Sequence, residues 1–361
     1  MKINGRRSLS PVEIIPNDYY PQEEGFWFQI QKGLDKGKCL FYRDSYIISK
    51  NTDTTLLFVH GNPECSYTYR KIIHHITTNA TNSCRIVAMD HIGFGLSDPA
   101  TYEMVCMDHA RNLLQLIQHL DLHNITLVIH DWGGPIGVGA LLQDPKRVSN
   151  LILLNSTVFP LPKEGLSFEN YPISWLGWSN APYIIPDHFW GSFAAFAIFA
   201  QPTTSFTLLF NMLKTLALLE LNIYPSTNQN KRIAQQVYRS QFQLNSNVRS
   251  SKRLVVQTKA WGYGNIYKEP LLGKRDTTPF YRRIQTSIKK SWGPSGQNIG
   301  VRALIGRWDP LGQNGVLKQW LNHLPQLKGN MKIFKNIGHF IEEVKYKEIA
   351  DQILDVVKLT Y

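Results

Sequence analysis

The chain has 361 residues, of which 43% are hydrophobic and 18% charged, and a formal net charge of +12. This composition excludes a disordered or collagen-like chain, and the length allows either two domains or one large core with an insertion. The four cysteines, Cys39, Cys65, Cys84 and Cys106, form no C-x-x-C pair, so we expect neither a zinc knuckle nor a disulfide framework. Reduced thiols of this kind are typical of a cytoplasmic protein, which is the location we expect.

No apolar segment has the length of a membrane span. The first twenty residues carry charges but no apolar run of the secretory type. The two longest apolar runs, 190–200 and 206–213, fall short of the ~17 residues that a helix needs to cross a bilayer. We therefore expect a soluble chain without a transmembrane segment.

The positive charge is concentrated in the stretch from Arg249 to Lys290. This stretch contains eleven basic and two acidic residues and so carries +9 of the net +12. We expect a solvated face of the protein here, and contact with an anionic surface is the alternative. Because no nucleic-acid-binding motif accompanies the charge, we expect no nucleic-acid partner.

Short, continuously apolar runs alternate with segments of helical spacing in the first part of the chain. We predict strands at 55–59, 85–89, 125–129 and 148–154 and helices at 66–76, 107–120 and 135–142. Continuously apolar strands separated by helices indicate a parallel sheet that is covered on both faces. The predicted fold class is therefore α/β, with a mostly parallel, doubly wound sheet.

The pattern changes at about residue 159. From there to about residue 254 the chain is rich in aromatic residues and has helical periodicity without a clear buried strand, which predicts a helical cap inserted over the sheet. Two strands at 301–305 and 331–334 and a helix at 344–359 then resume the α/β pattern. We predict a core formed by 1–158 and 299–361, with 159–298 as the cap plus the basic insertion. Cap aromatics such as Trp175 and Trp178 are expected to form the cap's interior and part of an apolar pocket.

Reactive side chains follow the predicted strands directly. Asp131 follows the third strand, Asp309 the strand at 301–305, and His339 the last strand. Open α/β sheets place their sites at the carboxyl ends of the strands, and the chain order nucleophile, acid, histidine is that of α/β-hydrolases. At the nucleophile position this chain has a carboxylate, in the sequence His130-Asp131-Trp132.

A carboxylate nucleophile predicts a particular chemistry. It is already charged at neutral pH, so it can attack without losing a proton to a base. It suits an sp³ carbon that carries a leaving group, where attack forms an ester and leaves the histidine free to activate water. An Asp–His–Asp set therefore indicates halide displacement or epoxide opening.

Five sequence blocks resemble the haloalkane dehalogenase family. They are His60-Gly61-Asn62-Pro63, residues 90–98 with Gly-x-Gly-x-Ser-Asp, His130-Asp131-Trp132-Gly133-Gly134, Gly306-x-x-Asp309 and Gly338-His339-Phe340. The resemblance implies an α/β-hydrolase fold with a cap, a small apolar halogenated substrate, and neither a metal nor an organic cofactor. It further implies that Asp131 is the nucleophile, His339 the base and Asp309 its orienting acid.

Two further residues receive roles from the resemblance. Trp132 would donate its indole N–H, and Asn62 its side-chain amide, to the departing halide. Both groups are chemically suited to this role, because the indole and the amide each offer N–H donors and a halide ion can only accept hydrogen bonds. The backbone N–H groups of the same two residues would form the oxyanion hole when the ester is hydrolysed. The family subgroup implied here has an Asn in the first loop and its acid after the penultimate strand. A related subgroup has the acid at the position of Asn155, which cannot serve as one.

Three alternatives stay open from the sequence. An epoxide hydrolase would use the same nucleophile together with cap tyrosines, for which Tyr171, Tyr183, Tyr224 and Tyr238 are available. A cofactor-independent oxygenase of the coelenterazine-luciferase type would need an acid at Asn155. A binding protein without turnover would dock through the basic stretch in a salt-sensitive manner.

Overall fold

The computed structural model describes residues 3–4, 8–162 and 176–357. Within these ranges the strands are β1 (Ile3–Asn4), β2 (Gly25–Gln29), β3 (Cys39–Ile47), β4 (Thr55–Val59), β5 (Cys84–Met89), β6 (Ile125–His130), β7 (Val148–Leu154), β8 (Ile266–Glu269), β9 (Gly273–Asp276), β10 (Gly300–Gly306) and β11 (Met331–Phe334). The helices are α1 (Arg70–Asn79), α2 (Cys106–His119), α3 (Gly133–Leu141), α4 (Leu176–Ile184), α5 (Trp190–Ala197), α6 (Ser205–Glu220), α7 (Gln229–Ser240), α8 (Asn245–Gln257), α9 (Thr278–Trp292), α10 (Asn314–His323) and α11 (Tyr346–Val356).

Nine of the strands form one sheet in the order β1-β2-β3-β5-β4-β6-β7-β10-β11. The six strands from β5 to β11 in this order are parallel, whereas β1, β2 and β3 are antiparallel and extend one edge. All five residues of β4 and all six of β6 are buried, as the continuous apolar runs predict. The predicted α/β-hydrolase fold with a mostly parallel sheet is confirmed, although β2 and β3 were not among the predicted strands.

Helices cover both faces of this sheet. On one face α1 and α11 pack on each other and on the strands through Ile72, Ile76, Ile349 and Ile353, all of them fully buried. On the opposite face α2, α3 and α9 pack together, with Phe280 and Ile284 of α9 against Gly139 of α3. Each face thus has its own apolar layer, which is the doubly wound arrangement.

Helices α4 to α8 follow β7 and contact one another, with α5 between α6 and α7 and α4 against α8. The Trp178 side chain stacks on Phe193, with ring centroids 5.6 Å apart, and Trp190 is fully buried. Trp175 and Tyr171 lie outside the described residues. The division into a core of 1–158 and 299–361 and a cap at 159–298 stays a prediction. Helix α9 belongs to the predicted insertion, although it packs on α3 of the core.

The basic stretch from Arg249 to Lys290 folds into part of α8, the separate β8–β9 hairpin and α9. Three of its eleven basic residues form ion pairs with acidic residues of the chain: Lys252 with Asp187, Arg253 with Glu103, and Arg275 with both oxygens of Asp108. The other eight, which are exposed, are Arg249, Lys259, Lys268, Lys274, Arg282, Arg283, Lys289 and Lys290. Among the described helices, none combines the length and apolar character that a membrane crossing requires.

Candidate active site

Asp131 occupies the sharp turn between β6 and α3. Its backbone has a φ of 47°, a left-handed value that is unusual for a residue with a side chain. Gly133 follows in the first turn of α3, where a Cβ would collide with the carbonyl oxygen of Val59, so only glycine lets the helix start this close to the sheet. The turn holds the Asp131 carboxylate at the positive end of the α3 dipole, 4% exposed.

The loop after β4 supplies a hydrogen bond to this carboxylate. The backbone N–H of Asn62 donates to Oδ2 of Asp131 over 2.8 Å. A Cβ on Gly61 would overlap the Asp131 side chain, so a glycine is required for the two segments to approach each other. One donor that could later stabilise an oxyanion is therefore already in place.

His339 lies between the two predicted carboxylates. Its Nδ1 is 2.9 Å from Oδ2 of Asp309, and its Nε2 is 3.4 Å from Oδ1 of Asp131. The three residues follow β6, β10 and β11, parallel strands of one sheet whose carboxyl ends lie at the same edge, with β7 between β6 and β10. The structure thus brings the three predicted residues together, and their catalytic roles remain predictions.

The charge of His339 is set by these neighbours. Burial disfavours the imidazolium form, but the carboxylates of Asp309 and Asp131 outweigh burial and raise the pKa of His339 well above its ordinary value. These neighbours favour the protonated form of His339 in the resting protein, and removing one of the two negative charges would favour the neutral, basic form.

Asn155, at the end of β7, holds the carboxylate of Asp309. Its Nδ2 donates to Oδ2 of Asp309 over 2.6 Å and to the carbonyl oxygen of Gly306, and its Oδ1 accepts from the Gly306 N–H. The ends of β7 and β10, the two places where the family resemblance would put an acid, thus meet at one point of this sheet. Here one position has the acid and the other has its hydrogen-bond donor.

The two predicted halide donors are buried and have no hydrogen-bond partner among the described residues. Both the indole Nε1 of Trp132 and the side-chain Nδ2 of Asn62 are unpaired. The other side of the Asn62 amide is fixed, because its Oδ1 accepts from Ser251 Oγ at 2.5 Å and Ser251 in turn accepts from the indole of Trp190 at 2.9 Å. Buried N–H groups are seldom left unpaired, so these two, on the residue after Asp131 and on the residue whose backbone N–H donates to it, indicate a site for an acceptor.

An apolar cavity of about 310 Å³ leads to the carboxylate. Asp131, Asp309 and His339 line it, whereas Trp132 and Asn62 do not. Trp261, which also lines it, stacks on Trp132 with ring centroids 3.8 Å apart. The other lining residues are mostly apolar and come largely from the cap helices, among them Trp178, Ala181, Ile185, Phe193, Phe196, Leu208 and Met212. Such a cavity suits a small apolar molecule.

A fully buried cluster of Glu64, His130 and Glu342 adjoins the turn that carries Asp131. His130 Nδ1 is 2.6 Å from Oε1 of Glu64, and His130 Nε2 is 3.0 Å from the carbonyl oxygen of His339. Glu64 Oε1 also accepts from the Gly61 N–H. The three side chains are close enough to hold a metal ion, but both ring nitrogens of His130 already have protein partners. The cluster therefore connects the loops that carry Asn62, Asp131 and His339.

The cluster has one ionised pair and one neutral acid. Burial alone would raise the pKa of Glu64, but His130 lowers it to about 2. Burial likewise opposes the charge of His130, but Glu342 and Glu64 raise its pKa to about 9. Burial raises the pKa of Glu342 to about 8. At neutral pH these shifts favour an imidazolium at His130 and a carboxylate at Glu64, while burial favours the protonated form of Glu342.

We expect the stability of the protein to fall as the pH rises from 6.5 to 9. The stabilisation from His130 is complete below its ordinary pKa of 6.5 and is lost as the pH rises through about 9. Glu342 acts in the same direction, because its raised pKa keeps it protonated up to about pH 8 in the folded protein only. The Glu342→Gln variant should lose less free energy of unfolding over this range, by about 1–2 kcal/mol in urea titrations.

Glu23→Gln, at an exposed carboxylate, is the matched control and should follow the wild-type pH dependence. A wild-type free energy of unfolding that is constant or rises between pH 6.5 and 9 would contradict the protonation states assigned to the cluster.

Several of these residues escape sequence reasoning. Ser251, Trp190 and Trp261 come from the cap, and no spacing relates them to the sheet residues that they contact. Glu64 adjoins one recognised block and His130 lies within another, and an ionisable residue at a buried strand end is a signal that could have been used. Burying a charged side chain costs solvation free energy, so such a residue needs a buried partner.

Residues 54–346 match the family model of the alpha/beta hydrolase fold. A cis-3-alkyl-4-alkyloxetan-2-one decarboxylase from Shewanella oneidensis is 36% identical over 121 residues, which are 32% of this chain and 37% of that protein. Haloalkane dehalogenase 2 from Mycobacterium tuberculosis is 30% identical over 150 residues, which are 41% of this chain and 48% of that protein. The matched segments thus span less than half the length of these curated relatives.

Solved structures share the fold over nearly the whole chain. The haloalkane dehalogenase DatA from Agrobacterium tumefaciens C58 aligns with a TM-score of 0.60 at 17% identity and covers 96% of this chain and 100% of that one. The haloalkane dehalogenase DpaA from Paraglaciecola agarilytica NO2 aligns with a TM-score of 0.58 at 21% identity, covering 96% and 97%. The expected similarity to haloalkane dehalogenases is therefore confirmed. With its sheet, its strand-to-helix turn and a family match over most of its length, the chain belongs to the α/β-hydrolase fold family.

Proposed function

We propose that the protein hydrolyses carbon–halogen bonds of small apolar haloalkanes. In the first step an oxygen of Asp131 attacks the sp³ carbon, forming an ester bond as the carbon–halogen bond breaks and the halide takes the electron pair. The observation that supports this most directly is that the buried carboxylate of Asp131 occurs together with two buried N–H donors, on Trp132 and Asn62, that have no partner among the described residues. A leaving anion in an apolar site requires such donors.

The second step uses the change in charge that the first produces. Esterification removes the negative charge of Asp131, which is one of the two charges that raise the pKa of His339. The pKa of His339 then falls, so the ring releases its proton to solvent and, as a neutral imidazole, can take a proton from the attacking water, while Asp309 orients the ring through Nδ1. Attack of that water on the ester carbonyl releases the alcohol, and the N–H of Asn62 can stabilise the oxyanion on Asp131.

The test is bromide release from 1-bromohexane. We expect turnover by the wild-type chain and a loss of about 10²- to 10³-fold in kcat/KM for Trp132→Phe, because that change removes one donor to the leaving halide and keeps an aromatic ring. Trp178→Phe is the matched control, since this indole lines the same cavity but stacks only on cap aromatics, and it should stay within a few-fold of wild type. Absence of bromide release from several primary and secondary bromides would overturn the proposal.

Epoxide hydrolysis through the same nucleophile has less support. It requires an acid for the opening ring, and none of the described cap tyrosines, Tyr183, Tyr224 and Tyr238, lines the cavity. Tyr238 is buried and donates to Glu343 instead. Diol formation from styrene oxide distinguishes this reaction.

A second candidate is decarboxylation of an oxetan-2-one, the substrate class named for the 36%-identical relative. The apolar cavity could hold the two alkyl chains of such a ring. Attack of Asp131 at the sp³ ring carbon bonded to the ring oxygen would break that carbon–oxygen bond and free the substrate's carboxylate. Loss of CO₂, with departure of the Asp131 carboxylate, would then leave an alkene. Because this route uses no water, alkene formation without halide release separates it from dehalogenation.

A further inference from the structure

Helix α6 has apolar side chains on its outer face as well as on its inner one. Its inner face buries Leu208, Leu216 and Leu219. Its outer face exposes Phe206, Leu209, Phe210 and Leu213, with exposed fractions of 80, 45, 57 and 58%. Their spacing of three and four residues puts them on one side of the helix. A surface helix normally has polar residues there, so this face is suited to a non-aqueous partner.

This face continues into the mouth of the cavity. Tyr183 and Ile184, at the end of α4, are 67% and 69% exposed. Ile184 and Leu209 are exposed and also line the cavity that contains Asp131. The six residues, called the α6 patch, are Tyr183, Ile184, Phe206, Leu209, Phe210 and Leu213. An apolar molecule entering through the α6 patch would not have to cross water.

The charges beside the α6 patch are positive. Lys214 is exposed on α6 itself, and Lys259 has its Nζ 5.1 Å from the ring centroid of Tyr183. The nearby carboxylates are engaged, since Glu220 accepts from Ser192 and lies 3.7 Å from Arg239, and Asp187 is paired with Lys252. The whole chain carries +12. An occupant of complementary character is therefore apolar inside and anionic at its surface.

We propose that the α6 patch docks on the surface of an anionic phospholipid bilayer. In this arrangement the four outer side chains of α6 enter the acyl-chain boundary, while Lys214 and Lys259 lie at the headgroups. The cavity mouth then opens towards the lipid, where apolar substrates concentrate. Docking itself does not depend on the chemistry at Asp131, whereas delivery of substrate from the lipid rests on the proposed function.

Co-sedimentation of the full chain with vesicles tests the docking. We expect binding to vesicles of phosphatidylcholine with 30% phosphatidylglycerol, and weaker binding when that anionic lipid is omitted or the salt is raised. The variant Phe206→Ser/Phe210→Ser/Leu213→Ser should bind at least about tenfold less. It changes only exposed side chains that do not line the cavity, so its thermal unfolding should match that of the wild type.

The matched control is Leu9→Ser/Ile48→Ser/Leu271→Ser. It removes three strongly exposed apolar side chains (79, 69 and 73%) outside the α6 patch, and it should bind like the wild type. Equal binding of the two triple variants, or no binding of the wild-type chain to the anionic vesicles, overturns the proposal. So does a lipid-independent dimer in sedimentation velocity that the α6 variant abolishes, because the α6 patch would then be covered by a second copy.

Delivery has its own readout. For a long-chain bromide presented in anionic vesicles, the α6 variant should show a KM raised several-fold, with unchanged KM for a short, water-soluble bromide. If the α6 variant differs from the wild type in KM for neither of the two substrates, delivery from the lipid is overturned. A wild-type chain that binds vesicles but releases no halide supports docking and contradicts the proposed function alone.

Discussion

The His339→Ala variant is expected to stop after one chemical step and to retain the alkyl group of the substrate. The first step needs only the carboxylate of Asp131 and the halide donors, so 1-bromohexane should still release about one equivalent of bromide per chain. The second step needs a base at 3.4 Å from Asp131, which alanine cannot supply. Steady-state turnover should fall by about 10³-fold or more, because a general base contributes 10²- to 10⁴-fold.

Intact mass and peptide mapping check this result. The chain should gain the mass of one hexyl group, located on the peptide that contains Asp131. Asp131→Asn should show neither bromide release nor the adduct, and His74→Ala, at an exposed histidine of α1, should turn over like the wild type. A His339→Ala chain that releases no bromide, or an adduct on another residue, would show that the carboxylate at 131 is not the nucleophile.

The sequence predicts the central sheet well because each central strand is buried on both faces. For β4, β6 and β7 the continuous apolar runs have bounds within one residue of those in the structure. The antiparallel strands β2 and β3 lack this signal, because half-exposed and charged residues interrupt them, such as Arg43 and Asp44 in β3. Those charges are compensated by partners elsewhere: Arg43 by Glu24, and Asp44 by Arg85. Such pairings depend on the folded sheet and cannot be read from local periodicity.

The site follows the same distinction. Asp131, Asp309 and His339 can be predicted because parallel strands bring their carboxyl ends to one edge of the sheet. Asn62 is oriented by two successive hydrogen bonds, one with Ser251 and the next between Ser251 and Trp190. Both partners lie in helices of the cap, more than a hundred residues from Asn62 in the sequence. No strand topology relates the cap to the sheet edge. The residues that complete the site from above are therefore visible only in three dimensions.

Moving the acid from 309 to 155 is expected to restore most of what Asp309→Asn removes. The single variant takes away the carboxylate that orients His339, together with the charge that contributes most to raising its pKa. The loss should be about 10³- to 10⁴-fold in kcat, the size found when an orienting Asp of a triad becomes Asn. The pKa of His339 should also fall, which would move the pH profile of turnover towards lower pH.

The double variant Asn155→Asp/Asp309→Asn exchanges the two partners of a single hydrogen bond. Asn155 Nδ2 and Asp309 Oδ2 are 2.6 Å apart. After the exchange the carboxylate at position 155 therefore lies close to where the carboxylate at position 309 was, and the amide at position 309 can donate a hydrogen bond to it. We expect kcat to return to within about 10- to 100-fold of wild type, and the pH profile to shift back. Asn155→Asp alone should be impaired, because two carboxylates at this distance cannot both ionise. Bromide-release kinetics from pH 6 to 9 measure all three variants, with Asp351→Asn as the exposed control. A double variant no more active than Asp309→Asn would show that only the strand end at 309 can orient His339.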